Sequence, residues 1–304
     1  MITMDRTIPS TAGESILPVL IYIQTHLDSD LSLETTAGRV GLSPFYFHRL
    51  FQQFTGETLK KYTQRLRLER AAFELKIRDA SILDVALSTG YRSHETFSRA
   101  FRRQFSLTPL GYRQTHGRLL HTESLNSGEP RKVLNHQATH FQVSAMRVQK
   151  LTNLVVAFIR HLGDYEDVDA HLYDELTMWA QHHSFYNGDN LLLAIGHDDP
   201  TITPTEKVRF DACIEVPKPF PPEGRIGCQQ VPAGWYATVT YVGPYGPIME
   251  AAYSAIFHGV MQLRGYRLVG LPALEIYRTT RITPEYNLNE TDIYLPLEKV
   301  AESQ

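Results

Sequence analysis

Apolar residues in the first third of the chain recur at three- and four-residue spacing, the signature of amphipathic helices. Ile16, Val19, Leu20, Ile23 and Leu27 mark a first helix. Proline costs least in a first turn, where its missing N–H has no partner, so Pro18 predicts a start near Ser15. Leu33, Ala37 and Val40 follow Ser32 as a short helix stopped by Gly41. Phe47, Leu50, Phe51 and Phe54 follow Ser43 and Pro44, a cap and a first-position proline. A long helix is expected from about Leu59 to Leu75. Tyr62, Leu66 and Leu68 would be packed, and Lys60, Lys61, Arg65, Arg67 and Arg70 mostly solvated, with one or two reaching phosphate. Ser81 then opens another short helix with Ile82, Val85 and Ala86 inside. After Gly90-Tyr91-Arg92-Ser93 a last strongly amphipathic helix spans about His94 to Phe105, with Phe97, Phe101 and Phe105 inward.

The pattern is a repeat. Ser43, Phe47, Arg49 and Phe51 return 50 residues later as Ser93, Phe97, Arg99 and Phe101. Each copy is a short helix, a glycine turn and a second helix with a polar outer face, the arrangement that enters the major groove of DNA. Two copies in one chain suit two successive grooves.

Beyond residue 118 the pattern changes. Residues 119–140 are polar, with Asn126-Ser127-Gly128-Glu129-Pro130, and read as a linker. Apolar alternation resumes at Phe141, and a second repeat follows, displaced by about 80 residues. Phe158 to Tyr165 and Val239 to Tyr245 are each a strand ending in a glycine turn and a tyrosine. The first leads to a helix at about Val168–His182 and strands at Leu191–Ile195 and Val208–Val216. The second leads to a helix at about Pro247–Leu263 and strands at Ala273–Tyr277 and Asp292–Leu297. Strand, helix, strand, strand, twice over, gives an α+β domain with a pseudo-two-fold axis and a cleft between its halves.

Charge follows the same division. The first 118 residues carry 16 Lys and Arg against 11 Asp and Glu, a net +5; the remainder carries −8. A basic half fits a nucleic-acid module, and an acidic half fits one that does not touch it. Cys213 and Cys228 lack metal-ligand spacing, and no apolar run has the length of a membrane span. The expectation is a cytoplasmic protein without metal, cofactor or membrane partner.

Three runs carry a resemblance: Ile82-x-x-Val85-Ala86-x-x-x-Gly90-Tyr91, Phe97-Ser98-Arg99-x-Phe101-Arg102, and Thr108-Pro109-x-x-Tyr112-Arg113. They resemble the signature of AraC/XylS-type transcription regulators, with Ser106 where that family usually has glycine. The resemblance implies an all-α double helix-turn-helix DNA-binding domain over residues 10–118. Carried over, its base contacts fall on Phe45, His48 and Arg49, and on His94, Glu95, Thr96, Ser98 and Arg99; Arg102 and Arg103 extend a basic edge suited to phosphates. Arg49 and Arg99 fit base contacts and, equally, phosphate or intradomain contacts. Phe45 fits a thymine methyl or the core, His48 a base or a phosphate, and Glu95 a local salt bridge better than cytosine. All core residues of this domain are expected to lie within it.

Residues 141–300 resemble the GyrI-like effector-binding domain, through the strand–Gly-x-Tyr turns and Leu271-Pro-Ala-Leu-Glu275-Ile-Tyr277. The resemblance implies a pseudo-two-fold α+β domain with Glu275 central in an apolar pocket for cationic, often aromatic, small molecules. Tyr165, Trp179, Trp235, Tyr245 and Tyr277 are the expected walls, and Cys213 is expected to pack. A carboxylate on an apolar strand is costly unless paired, and a lipophilic cation supplies that pairing. The implied whole is a transcription regulator with double-stranded DNA, a small effector and RNA polymerase as partners. Two alternatives remain for the second half: hydrolysis with Glu275 as general base, or a protein-interaction module in which Glu275 is salt-bridged.

Overall fold

The computed structural model describes residues 10–117, 141–246, 249–270, 272–279 and 289–300; the expected linker at 119–140 lies outside the described residues. The first domain is all-helical: α1 (Ser10–Thr25), α2 (Leu33–Arg39), α3 (Pro44–Thr55), α4 (Leu59–Ile77), α5 (Ile82–Ser88), α6 (His94–Phe105) and α7 (Pro109–His116). The helix starts are written in the caps. The hydroxyls of Ser32, Ser43, Thr58, Ser81, Ser93 and Thr108 each accept from the backbone N–H three residues on. Gly41 and Gly90 turn with φ of 66° and 83°. At Gly90 only glycine fits, because a Cβ would stand 2.5 Å from the Leu27 carbonyl. Ser106 takes the same left-handed conformation at φ 60° as the C-cap of α6, so serine occupies the corner expected of glycine.

The second domain contains β1 (Gln142–Val143), β2 (Arg147–Leu151), β3 (Leu154–Leu162), α8 (His171–His182), β4 (Leu192–Gly196), β5 (Arg209–Glu215), β6 (Ile226–Val231), β7 (Gly234–Val242), α9 (Glu250–Met261), β8 (Tyr266–Leu268), β9 (Ala273–Tyr277) and β10 (Glu290–Lys299). The strands form one antiparallel sheet in the order β1-β7-β10-β9-β4-β5-β3-β6, with β2 beside β7 and β8 beside β10. The two copies, β3-α8-β4-β5 and β7-α9-β9-β10, meet where β4 pairs β9. In that pairing Ala194 stands opposite Glu275, so Glu275 lies at the pseudo-two-fold axis. β1, β2, β6 and β8 extend the repeat and were not expected.

Successive strand residues face opposite ways. One face of the sheet packs against α8 and α9 through Ala157, Ile159, Ala194, Ala212 and Ile293. The other face, with Val156, Phe158, Leu193, Ile195, Leu274 and Ile276, packs against Leu17 and Ile21 of α1 and Phe54 of α3. The expectation of a self-contained first domain therefore fails. α1 buries Ile16, Val19, Leu20 and Ile23 among its own helices and Leu17 on the sheet. Its start at Ser10 rather than near Ser15 has the same cause. The Gly224 N–H donates to the Glu14 carboxylate at 3.2 Å, and a Cβ on Gly13 would collide with the Gly224 carbonyl. This docking and the packing of Leu17 hold the helix together across Pro18, which sits in its interior.

Further ties cross the domain boundary. Ile202, from the loop after β4, is 9% exposed and joins Ala72, Leu75, Phe101 and Tyr112 in the core of the second helix-turn-helix unit. Lys76 of α4 donates to Asp199 at 2.7 Å and to Thr201 at 3.0 Å. Arg160 binds Asp211 through two nitrogens and Gln24 of α1 through one of them. Asp211 also holds His197 at 2.7 Å and Gln229 at 2.7 Å. Burial alone would raise Asp211, but the charges of Arg160 and His197 outweigh it and hold the acid below the usual carboxylate range.

The α4 cations are mostly not solvated. Arg65 is buried between Glu57 and Glu69, and Arg67 donates to the carbonyls of Leu27 and Ser29. Arg70 pairs with Glu74, and only Lys60 and Lys61 remain open. No helix among the described residues is long and apolar enough to cross a membrane.

Candidate nucleic-acid interface and ligand pocket

α3 and α6 present the same face. In each, the cap and first three helical residues are exposed, the fourth (Phe47 or Phe97) is buried, the fifth (His48 or Ser98) is half-buried, and the sixth (Arg49 or Arg99) is exposed. Phe45 is 80% exposed, which removes the core reading and leaves an apolar surface at a helix N-terminus. Arg49 lies over the Tyr46 ring, 5.5 Å from its centre. On α6, His94, Glu95, Thr96, Arg99 and Arg102 are exposed. The salt bridge expected of Glu95 does not form: among the described residues it has no ionic partner, so its carboxylate is left facing outward. His94 and Ser98 approach each other at 3.5 Å, and Ser93 donates to the Thr96 hydroxyl at 2.9 Å.

The second site is built around Glu275. Tyr253 of α9 donates to its Oε1 at 2.6 Å and Tyr277, two residues on along β9, to its Oε2 at 3.3 Å. No basic side chain among the described residues pairs with it. The residue opposite it on β4 is the small, buried Ala194. Burial raises the Glu275 carboxyl, opposed by the two tyrosine hydrogen bonds. Burial, with the nearby Glu275 charge, also pushes the Tyr253 hydroxyl well up. The Tyr277 ring meets Tyr173 and Tyr245 edge-on, with centres 5.6 and 5.7 Å away. Tyr173 donates to the Tyr277 hydroxyl at 3.3 Å, and Tyr245 bonds Thr291 at 2.9 Å. Tyr165 borders the group, but its hydroxyl donates to the Asp198 carbonyl at 2.8 Å. The result is a carboxylate at the junction of two structural halves, surrounded by tyrosine edges and faces.

Trp179 is not part of this pocket. It packs on Phe185 and Phe220 and donates to Glu223 at 3.0 Å, at the far end of α8. Trp235 likewise packs on Tyr266 beneath Lys299. Alternation along a strand identifies Tyr277, but Trp179 lies in a helix, and helical spacing alone does not say which neighbour it meets. Tyr173 and Tyr253 were missed for the same reason: both lie on helices, and the pairing of β4 with β9 brings Tyr173 to this group while the packing of α9 on its own half of the sheet brings Tyr253 to Glu275. Cys213 is fully buried on the sheet face toward α1, as expected of a packing residue.

Comparisons with known proteins agree with this division. Residues 144–298 match the GyrI-like small molecule binding domain, and residues 36–115 match a helix-turn-helix domain. The regulatory protein SoxS of Escherichia coli K12 is 41% identical over 98 residues, 32% of this chain and 92% of SoxS. The transcriptional regulator Rob of Salmonella typhimurium is 39% identical over 100 residues, 33% of this chain and 35% of Rob. The right origin-binding protein of Escherichia coli K12 is 38% identical over 100 residues and is likewise matched over 35% of its length.

Proposed function

Because the chain belongs to the family of AraC-type DNA-binding transcription regulators that carry a GyrI-like small-molecule-binding domain, we propose that its effector is a lipophilic cation bound against Glu275. The observation that carries this reading is a carboxylate within an aromatic group, held only by tyrosine hydroxyls and unmatched by any cation among the described residues. A cation there gains Coulomb attraction to Glu275 and cation–π attraction to Tyr173, Tyr245, Tyr253 and Tyr277. A protein-interaction module with a salt-bridged Glu275 is the weaker reading, because that bridge is absent among the described residues.

Residues 10–118 would be the reading domain and 141–300 the sensor. Phe45, His48, Arg49, His94, Thr96, Ser98 and Arg99 would face bases or phosphates, and Glu95 would face a cytosine amino group. RNA polymerase is the macromolecule such a regulator would act on, and the cytoplasm the place where it meets DNA.

The test is a thermal-shift series on the full chain with a lipophilic quaternary cation and its neutral carbon isostere. Ligand at 100 times its Kd stabilises by about 2.7 kcal/mol. The cation is expected to raise the melting temperature of the wild type, and Glu275→Gln to remove most of that rise while leaving the smaller response to the isostere. Equal cation shifts in both proteins would refute the counter-ion role.

A further inference from the structure

The turn between β5 and β6 is bonded to the sensor and to the reading domain at three consecutive residues. Glu223 accepts at Oε2 from the Trp179 Nε1–H of α8 at 3.0 Å, and His183, at the C-terminal end of that helix, meets the same oxygen through Nε2 at 3.0 Å. Arg225 donates through Nε to Glu175 of α8 at 2.9 Å. Gly224, between them, is bound to α1 instead. Its N–H donates to the Glu14 carboxylate, and its carbonyl lies so close to Gly13 that a Cβ there would overlap it. Leu17 lies over Gly227, where an added Cβ would stand 3.3 Å from its methyl group. Gly13 and Leu17 are one helical turn apart, so one face of α1 is laid along the turn and the start of β6.

The turn is stiff and is fixed to α8. Glu223 and Ile226 exchange backbone hydrogen bonds at 3.0 and 2.9 Å, and Gly224 takes φ 58° between them. Residues 217–222, just before it, include four prolines, each with φ held at about −65°. Phe220 among them packs on Trp179 with ring centres 4.5 Å apart, and Ile226 is buried with Tyr173 and Leu176 of α8. α8 also borders the Glu275 group through Tyr173, about 9 Å of helix before Trp179. α9 supplies Tyr253 to that group, yet among the described residues no hydrogen bond or ion pair joins α9 to the reading domain.

We propose that the 223–226 turn is the coupling element that carries occupancy of the Glu275 pocket to the reading domain. The proposal rests on the reading of Glu275 as the effector site. A cation seated against Glu275 lies between Tyr173 of α8 and Tyr253 of α9, which close on Tyr277 and Glu275, so it displaces one helix from the other. Displacement of α8 draws the turn with it, and Gly224 shifts against Gly13 and Glu14. Two glycines in close contact leave no side chain between them to absorb the shift. Elsewhere on its surface α1 packs Val19, Leu20 and Ile23 among Phe47 and Phe51 of α3, so the displacement reaches the first recognition helix.

The experiment uses the full chain and benzyltriethylammonium as the cation. Calorimetry measures cation affinity. DNA affinity is measured with and without saturating cation, on a duplex selected by the protein from a random pool, and amide hydrogen exchange of α1 is followed without DNA. In wild type the cation is expected to change DNA affinity about fivefold or more and to speed exchange in α1. Glu14→Ala cuts the turn from α1, and Glu223→Ala cuts it from α8. Both are expected to bind the cation to within about twofold of wild type, to show a cation effect on DNA affinity below about twofold, and to have α1 exchange insensitive to it. Asp174→Ala, at an exposed α8 carboxylate that pairs with His171 and not with the turn, is expected to behave as wild type. A cation effect of wild-type size in either cut variant would overturn the proposal. So would a cation that binds wild type through Glu275 yet changes neither DNA affinity nor α1 exchange. A cation that binds wild type and Glu275→Gln equally would overturn the effector reading and the coupling with it.

Discussion

Ile202→Ala tests whether the sensor domain holds the second reading unit in place. Ile202 leaves the end of β4 and inserts between α4 and α7, where it is 9% exposed among Leu75, Ala72 and Tyr112. The substitution removes three buried carbons at about 0.8 kcal/mol each, near 2.4 kcal/mol, before any cavity remains. A cavity that does not collapse adds to this, within the 2–5 kcal/mol observed for isoleucine truncation. The loss falls on the docking of one domain against the other, because the residue belongs to one and its pocket to the other. At about 1.4 kcal/mol per tenfold, docking would weaken by a factor of roughly 50. Both tryptophans, Trp179 and Trp235, lie in the sensor domain, so urea unfolding followed by fluorescence reports that domain alone, and the far-ultraviolet helical signal reports both. In wild type the two transitions are expected to coincide. In Ile202→Ala the helical signal is expected to begin falling at lower urea. Coincident transitions with a stability change below about 0.5 kcal/mol would refute the claim that the core is shared.

Two further outcomes are expected. Burial raises Glu69 from 4.5 to about 7 although Arg65 pairs with it. The folded state therefore holds that proton more tightly than the unfolded chain, so stability falls as pH rises from 4.5 to about 7, by at most about 3 kcal/mol from this group. Glu69→Gln should flatten that fall in a melting series across the same range, and an unchanged profile would rule the group out. Ser106→Gly should raise stability by about 0.5–1 kcal/mol, since relief of left-handed strain exceeds the added entropy of the unfolded chain; a lower melting midpoint would contradict this.

The local architecture of the first domain was legible because helix signals are local. Ser43, Ser81 and Ser93 sit where the caps form, and α6 spans the predicted His94–Phe105. The repeat in the second half was equally legible, down to β9 at Ala273–Tyr277. What spacing could not show was the far side of each element. Arg65 reads as a solvated cation until Glu57 and Glu69 are placed around it, and Leu17 reads as one more residue of an amphipathic stripe. The pocket divides the same way. Glu275 and Tyr277 share a strand, whose alternation is visible, whereas Tyr253 and Trp179 depend on where helices dock.

The two-sided packing of α1 limits how this chain can be recombined. A joint cut anywhere in residues 118–140 would separate the halves on paper, yet leave Leu17, Ile21 and Phe54 without the sheet that covers them, and the sheet without its cover. A chimera joining this reading domain to a different sensor would expose an apolar strip on α1 and α3 and invite self-association. Exchange between such regulators would need compensating polar changes at these three positions, or transfer of α1 together with the sheet it packs against. The unit of inheritance is then the α1–sheet interface, which the order of domains along the chain does not reveal.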